Sequence, residues 1–439
     1  MISKNQFIFI GVILFLITIV TLLFLGIIPG LKLQPGGGGP TEKEITLEFW
    51  GLFDGPDAYT ATIQNFKYIY PHVTVKYRSF NDIKTYEHDL IEALAEGRGP
   101  DVFTIKNTDL LKYTNKALPV DPNKLSIYRL RELFPAIVEQ DFAPQGFIFA
   151  LPTSIDTLAL IVNRDILNRA GIVFPPGTWE DFKSVIPKLT KKERTKIVEA
   201  AASIGGSGKT VTAASDILSL LMLQTGTTMV KNDVSAAVFA SELGLNALNF
   251  YTQFSDATKD SYTWNDTLPR DVDFFGQEKI AMMFGYSTTL AEAKSKNAFL
   301  NAFVSPILQP KSAVKHITYA SYFGYVTSKQ SKAPDVAWDF ILELTTNESN
   351  VSSQLFVTKR PPALLTLINQ AINDPSNPDM AVFAKQALIA RAWPKVDSLN
   401  VDQVFSGLIE SVITGAKNPG SALEEAQGSV TSILSRRSL

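Results

Sequence analysis

Few residues in this chain are spaced for catalysis. The closest approach to a phosphate cradle is SIGGSGKT (Ser203–Thr210), yet the pattern G-x-x-x-x-G-K-[ST] requires glycine where Ser203 stands. The preceding KIVEAAASIG predicts a helix, whereas a phosphate loop must follow a strand, so a flexible loop is expected there. The three histidines, His72, His88 and His316, have no metal-ligand spacing to one another or to a glutamate. Asp271–Asp273 lacks the glycine and distal glutamate of a calcium loop. No G-x-S-x-G elbow occurs, and no carboxylate spacing points to a glycosidase pair. With no cysteine, there is neither a disulfide framework nor a thiolate nucleophile or ligand. No cofactor or metal motif emerges, and an enzyme is not expected.

The aromatics carry more information. Trp50, Phe53, Trp179, Trp264, Tyr286, Tyr319, Tyr322 and Trp393 all fall in or beside expected turns. Aromatic faces offer broad apolar area at low rotamer entropy, which suits stacking on the apolar faces of sugar rings. Trp179, at the start of a helix in PPGTWEDF, is assigned to packing.

The elements that must position these residues follow from periodicity. ITLEFW from Ile45 alternates as a half-buried strand. Tyr59, Ile63, Phe66 and Tyr70 recur at helical spacing, and Pro71 ends that helix. Val73, Val75 and Tyr77 share a strand face. Tyr86, Leu90, Ile91 and Leu94 mark a second helix, and DVFTI (Asp101–Ile105) reads as a strand. Strand–helix–strand–helix–strand argues for a parallel α/β sheet with helices on both faces. Ligands of such sheets sit beyond the strands' carboxyl ends, here the loops Gly51–Asp57 and Lys106–Asp109. Phe147–Leu167 predicts two extended pieces joined through Pro152 and Asp156. Residues 176–300 read as mostly helical with one strand, Lys279–Phe284. Ile317–Ser328 is extended, and an all-helical tail follows, with Val404, Leu408 and Val412 as a core stripe.

At the N-terminus, Phe7 to Ile28 carries no charge, only Thr18 and Thr21 are polar, and a helix of that length reaches roughly 33 Å, enough to span a bilayer. No small-residue cleavage site follows it, so an uncleaved single-pass anchor is expected, with the globular body outside the cell. A PGGGGP linker then frees the body from the surface. The net charge of −2 gives no argument for a nucleic-acid partner.

Several strings together resemble the bacterial extracellular solute-binding proteins of family 1, the maltose-binding-protein-like receptors of ABC importers. ITLEFWG, YPHVTVKY and ALAEGRGPDVFTI are similar to the first-lobe signature. FALPTSIDTLALIVNRDILNRAG with PPGTWEDF resembles the crossover to the second lobe. GQEKIAMMFGYS and YFGYVTSKQSKAPDVAWDFILELTT are similar to the later strand and the return segment. The resemblance implies a two-lobed periplasmic-binding-protein-like fold with hinge strands, preceded here by a single transmembrane helix. It implies residues 1–30 as anchor, 31–44 as linker, 45–150 and 314–371 as the first lobe, and 151–313 and 372–439 as the second. The solute, in this reading a sugar or oligosaccharide, is held between the lobes and passed to ABC permease subunits. Carried over by motif, the ligand-binding residues are Phe53, Asp54, Asn107, Thr108, Ser154, Asp156, Tyr286, Ser287, Tyr322 and Trp393. A membrane-anchored sensor or surface-attachment module of the same fold is the alternative, and a surface carbohydrate hydrolase a third.

Overall fold

The computed structural model describes residues 43–194 and 196–436. The expected anchor, Phe7–Ile28, lies outside them. No helix among the described residues is long and apolar enough to cross a membrane.

The chain builds two sheets and passes between them on short strands. It opens with β1 (Ile45–Leu52), β2 (Val73–Phe80), β3 (Val102–Lys106), β4 (Ala117–Leu118) and β5 (Ala150–Leu151). After β6 (Asp156–Thr157) it forms β7 (Ala159–Asn163), β8 (Lys191–Glu193), β9 (Lys196–Ala202), β10 (Ile280–Gly285) and β11 (Ala302–Ser305). It then returns through β12 (Thr318–Ser321) to β13 (Phe323–Ser328), and β14 (Ala390–Arg391) lies late in the chain. The first sheet runs β2-β1-β3-β13-β4 with β5 also on β13; the second runs β11-β7-β10-β9-β8; β14-β12-β6 form a small third.

The first sheet is mixed. β1 and β3 are parallel, as the strand–helix alternation requires, but β13, arriving from the other end of the chain, pairs antiparallel with β3, β4 and β5. Both faces are covered. Phe49 meets Tyr59 and Phe340 edge-on, while Trp50, one residue on and facing the opposite side, packs against Phe80, which in turn meets Tyr86. The helices expected from the first apolar repeats span Thr60–Ile69 and Ile83–Ala95, and Asp82 caps the second by accepting the Thr85 N–H.

The second sheet departs further from expectation. KIVEAAASIG was expected to be helical and instead supplies β9, which lies parallel to β10 with Ala200 opposite Ile280 and Ala202 opposite Met282. Alanine favours a helix locally, but Ala200, Ala201 and Ala202 are wholly buried in that sheet's core, so tertiary packing overrides local propensity. β8 likewise lies within the segment expected to be helical. SIGGSGKT therefore does follow a strand. It is not a loose loop: Ser203 to Ser207 are buried, and the Asp266 carboxylate accepts from the Ser207 N–H and hydroxyl at 2.9 and 2.5 Å and from the Thr210 hydroxyl at 2.7 Å. Gly208 N–H donates to the Ser406 hydroxyl, and the Lys209 ammonium meets Glu410. An internal carboxylate thus occupies the donors that a phosphate would need.

The tail is helical except at β14, which pairs in parallel with β12. In the helix Ser398–Ile413 the fully buried face is Val401, Phe405, Leu408 and Ile409, with Val404 and Val412 half-buried at its edge. Leu408 is thus buried as expected, while Val404 and Val412 border the stripe and pack against the same core.

Gly324 shows how tightly β13 is seated. A Cβ there would stand 2.6 Å from Phe142 Cζ and 3.0 Å from the Ala150 Cβ. Gly324→Ala is expected to lose about 1–3 kcal/mol through overpacking, seen as a lower urea midpoint at unchanged slope. An unmoved midpoint would show that Phe142 yields freely.

Candidate functional site

Two cavities lie where loops of the two sheets converge. The first, of about 150 Å³, is lined by Phe53, Asp54, Ser154, Asp156, Tyr286 and Tyr322 from the expected set, together with Arg360. The second, of about 140 Å³, is lined by Asn107 and Thr108 from that set, with Gln140 and Asp141.

Each group of the first cavity is held by its own local chemistry. Phe53 follows β1 in the left-handed region at φ 70°, rare for a residue with a side chain, and its N–H donates to the Phe80 carbonyl at 2.7 Å. This turn leaves the ring 46% exposed and edge-on to Phe323. The Asp54 carbonyl accepts from the hydroxyls of Tyr77 and Ser79, both at 2.7 Å. Its carboxylate accepts two guanidinium bonds from Arg360, at 2.8 and 2.9 Å, and one from the Tyr59 hydroxyl. Tyr325 continues this network to Gln354 and Thr153. Such a paired fork is geometrically specific and largely desolvated.

Asp156 is held in a different way. Its carboxylate accepts the Ser287 N–H at 3.0 Å, the Ser287 hydroxyl at 2.5 Å and the Thr157 N–H at 2.9 Å. Ser287 thus works through Asp156 rather than lining the cavity itself. Because Ser287 opens the helix Ser287–Lys296, the carboxylate also sits at that helix's positive end. Burial nonetheless pushes the group up to about 6, against the lowering effect of the Ser287 hydrogen bonds.

Between the cavities lies a buried ionic cluster that sequence reasoning missed. Lys395 is 0% exposed; its ammonium reaches Asp402 at 2.7 Å and Asp216 at 3.5 Å, and stands over the rings of Tyr319 and Trp393. The Tyr286 hydroxyl donates to Asp216 at 2.7 Å, linking the cluster to the first cavity. Lys106, at the end of β3, approaches Asp402 from the first sheet at 3.7 Å. Burial works against ionisation of Asp402, but Lys395 and then Lys106 outweigh it and hold the carboxyl at about 2.

The second cavity begins directly beyond this cluster. The Thr108 carbonyl accepts from the Lys395 and Val396 N–H groups, and its hydroxyl donates to Asp109, which also takes the Ser398 N–H and hydroxyl. Asn107 and Tyr322 exchange backbone and side-chain bonds and both donate to Asp141 Oδ2 at 2.9 Å. Burial raises Asp109 to about 6 and Asp141 to about 7.

Trp393, expected at the cleft, lines neither cavity. It is 3% exposed, lies beside Phe405, and donates its Nε1–H to the Ser219 hydroxyl at 3.2 Å. Its indole belongs to the core of the second sheet. Trp179 and Trp264 are core residues as well. Arg360, Asp141 and Lys395 had no sequence signal beyond their charge. Arg360-Pro-Pro directly after the helix Glu348–Thr358 was the nearest cue, since prolines fix a chain leaving a helix. No His, Cys, Asp and Glu cluster able to hold a metal occurs among the described residues.

The profile of the family described as bacterial extracellular solute-binding protein matches residues 54–351. The maltodextrin-binding protein MdxE of Bacillus subtilis is 23% identical over 399 residues, covering 85% of this chain and 89% of that protein. Among solved structures, the sugar-binding protein MalE from Xanthomonas citri superposes with a TM-score of 0.73 at 19% identity, covering 89% of this chain and 98% of that one. An ABC transporter solute-binding protein from Thermotoga lettingae, bound with α-D-tagatose, gives 0.70 at 20% identity, covering 89% and 99%. These likenesses show a two-lobed α/β fold of the periplasmic-binding-protein kind, the two principal sheets being its lobes.

The raised carboxyls make stability depend on pH, with burial raising Asp271 in the same direction as the three aspartates of the site. Asp109, Asp141 and Asp156 bind protons more tightly folded than unfolded, so their contribution is fully present below the ordinary aspartate range and is lost as pH rises through about 6 to 7. The melting temperature is expected to be higher at pH 5 than at pH 7.5, by the equivalent of roughly 1–3 kcal/mol. Scanning calorimetry across that range checks the sign, and a rise toward pH 7.5 would contradict it.

Proposed function

The chain belongs to the bacterial extracellular solute-binding proteins, and on that footing we propose that it captures a carbohydrate in the cleft between its lobes for an ABC importer. The observation that carries this reading is the first cavity, where the exposed Phe53 ring stands beside the Asp54–Arg360 pair. An aromatic face next to fixed donors and acceptors suits a ring with one apolar face and an edge of hydroxyls. The sugar-binding relatives support the same ligand class.

Neither cavity, at about 150 and 140 Å³, reaches the roughly 300 Å³ at which ligand pockets usually begin. Solute entry therefore requires the lobes to part, with Lys106 leaving Asp402 and Ser398 leaving Asp109. Closure over the solute restores those contacts and creates the form that a permease reads. Residues 45–150 and 314–371 form one moving body in this proposal, and 151–313 and 372–439 the other. The apolar run Phe7–Ile28 keeps the protein at the membrane with its body outside. That anchor, together with the lack of a lipid-attachment cysteine, also motivates the sensor reading, which predicts the same binding without transport.

Isothermal titration of neutral mono- and oligosaccharides tests the ligand class. Phe53→Ala is expected to weaken binding by about tenfold or more, because it removes a stacking face, while leaving the melting temperature nearly unchanged since the ring is half exposed. Full affinity in that variant would sink the assignment of the first cavity.

A further inference from the structure

Asp141 stands out among the carboxylates of the cleft because no ion pair neutralises it among the described residues. Asp54 has Arg360, Asp216 and Asp402 have Lys395, and Asp156 and Asp109 spend their oxygens on serine and backbone N–H groups. Asp141 instead takes both of its strong bonds, from the Asn107 amide and the Tyr322 hydroxyl, on Oδ2. Oδ1 receives only a 3.5 Å approach from the neighbouring Gln140 amide. A carboxylate oxygen accepts two hydrogen bonds, so Oδ1 retains acceptor capacity.

That capacity faces a cavity whose other polar lining is Asn107, Thr108 and Gln140. Asp141 lines the second cavity beside Leu110, Leu111, Pro144, Val234 and Pro394. None of those five side chains can donate to it. The cation lining the first cavity, Arg360, is held by both oxygens of Asp54, and Lys395 is buried on Asp402. The charged and titratable groups facing Asp141 are Arg391 and Tyr322. Arg391 acts on it only at a distance and donates its own short bond to the Ala390 carbonyl.

We propose that Asp141 determines specificity, accepting hydrogen bonds from hydroxyls of a neutral sugar unit in the second cavity and excluding sugars that carry a carboxylate or phosphate there. This rests on the carbohydrate reading above. A hydroxyl completes the hydrogen bonding of Oδ1, whereas above the pH of about 7 at which Asp141 ionises an anion would bring two like charges together. A sugar that fails to donate would forgo this bond to Oδ1 and bind less tightly than one that donates.

The test is calorimetry on the intact chain with maltose, maltotriose and mannobiose. Each is compared with an anionic counterpart bearing a carboxylate at one end, such as maltobionate or a glucuronyl-glucose. Neutral sugars are expected to bind at least about tenfold more tightly than the acids. Asp141→Asn keeps an oxygen for Asn107 and Tyr322 but turns an amide donor into the cavity, so it is expected to lose about tenfold on neutral sugars and to narrow or reverse the gap. Asp141→Ser, whose shorter side chain removes the carboxylate and its charge, gives the same comparison should the amide variant unfold. Neutral binding unchanged in both variants, or equal affinity for acid and neutral forms in the parent, overturns the role of Asp141 and leaves the carbohydrate reading standing. Failure of every neutral sugar to bind overturns the carbohydrate reading itself, and this inference with it.

Discussion

The Asp156 carboxylate stands where the chain passes from one sheet to the other, and it is tied to both sides of that passage. Its strand β6 pairs with β12, Ser321 opposite Asp156, so the outgoing and returning segments lie side by side. Its oxygens are held by the first turn of the helix Ser287–Lys296, which follows β10 in the second sheet. Charge-assisted bonds of this kind contribute roughly 1.5–3 kcal/mol each, enough to keep the helix start fixed to the crossing strands. Tyr286 is placed by the same turn. One carboxylate therefore sets the position of the first cavity's floor relative to the strands that connect the two sheets.

The lobes meet through groups that are costly to leave apart. Lys395 has no exposure and two aspartates, and Lys106 reaches the same cluster from the opposite lobe. A buried ion pair adds little net stability, because desolvation offsets attraction, yet its strict geometry disfavours other registers. The Thr108 carbonyl and the Asp109 carboxylate extend this seam with bonds to 395, 396 and 398. Polar contacts of this sort can be remade by water when the lobes separate, which an apolar seam could not do.

Much of the fold was legible from periodicity. β1, β2 and β3 and the helices between them follow from alternation and from Tyr59, Phe66, Tyr86 and Leu90, because each covers a half-buried surface whose period is written in the residues. β9 was not legible: KIVEAAA is helical by propensity, and only its neighbours β10 and β8 make it a strand. The candidate site was legible in part. Phe53, Asp54, Ser154, Asp156, Tyr286 and Tyr322 gather at one cavity and Asn107 and Thr108 at another, while Trp393 turned into the core. Arg360, Lys395 and Asp141 went unnoticed because a charge has no sequence period, and its partner lies as far away as the 306 positions between Asp54 and Arg360.

By itself, then, the sequence determined which segments are strands or helices wherever one face must be apolar, and it determined the family through an ordered set of motifs. It also excluded thiol chemistry by composition. The tertiary structure decided which polar groups confront one another: that Asp266 fills the glycine-rich loop, that Arg360 neutralises Asp54, and that Asp141 is left with a free oxygen. The reason is range. Burial and periodicity act between residues a few positions apart, whereas the pairing of charges in a cleft depends on two lobes assembled from segments that cross between them three times.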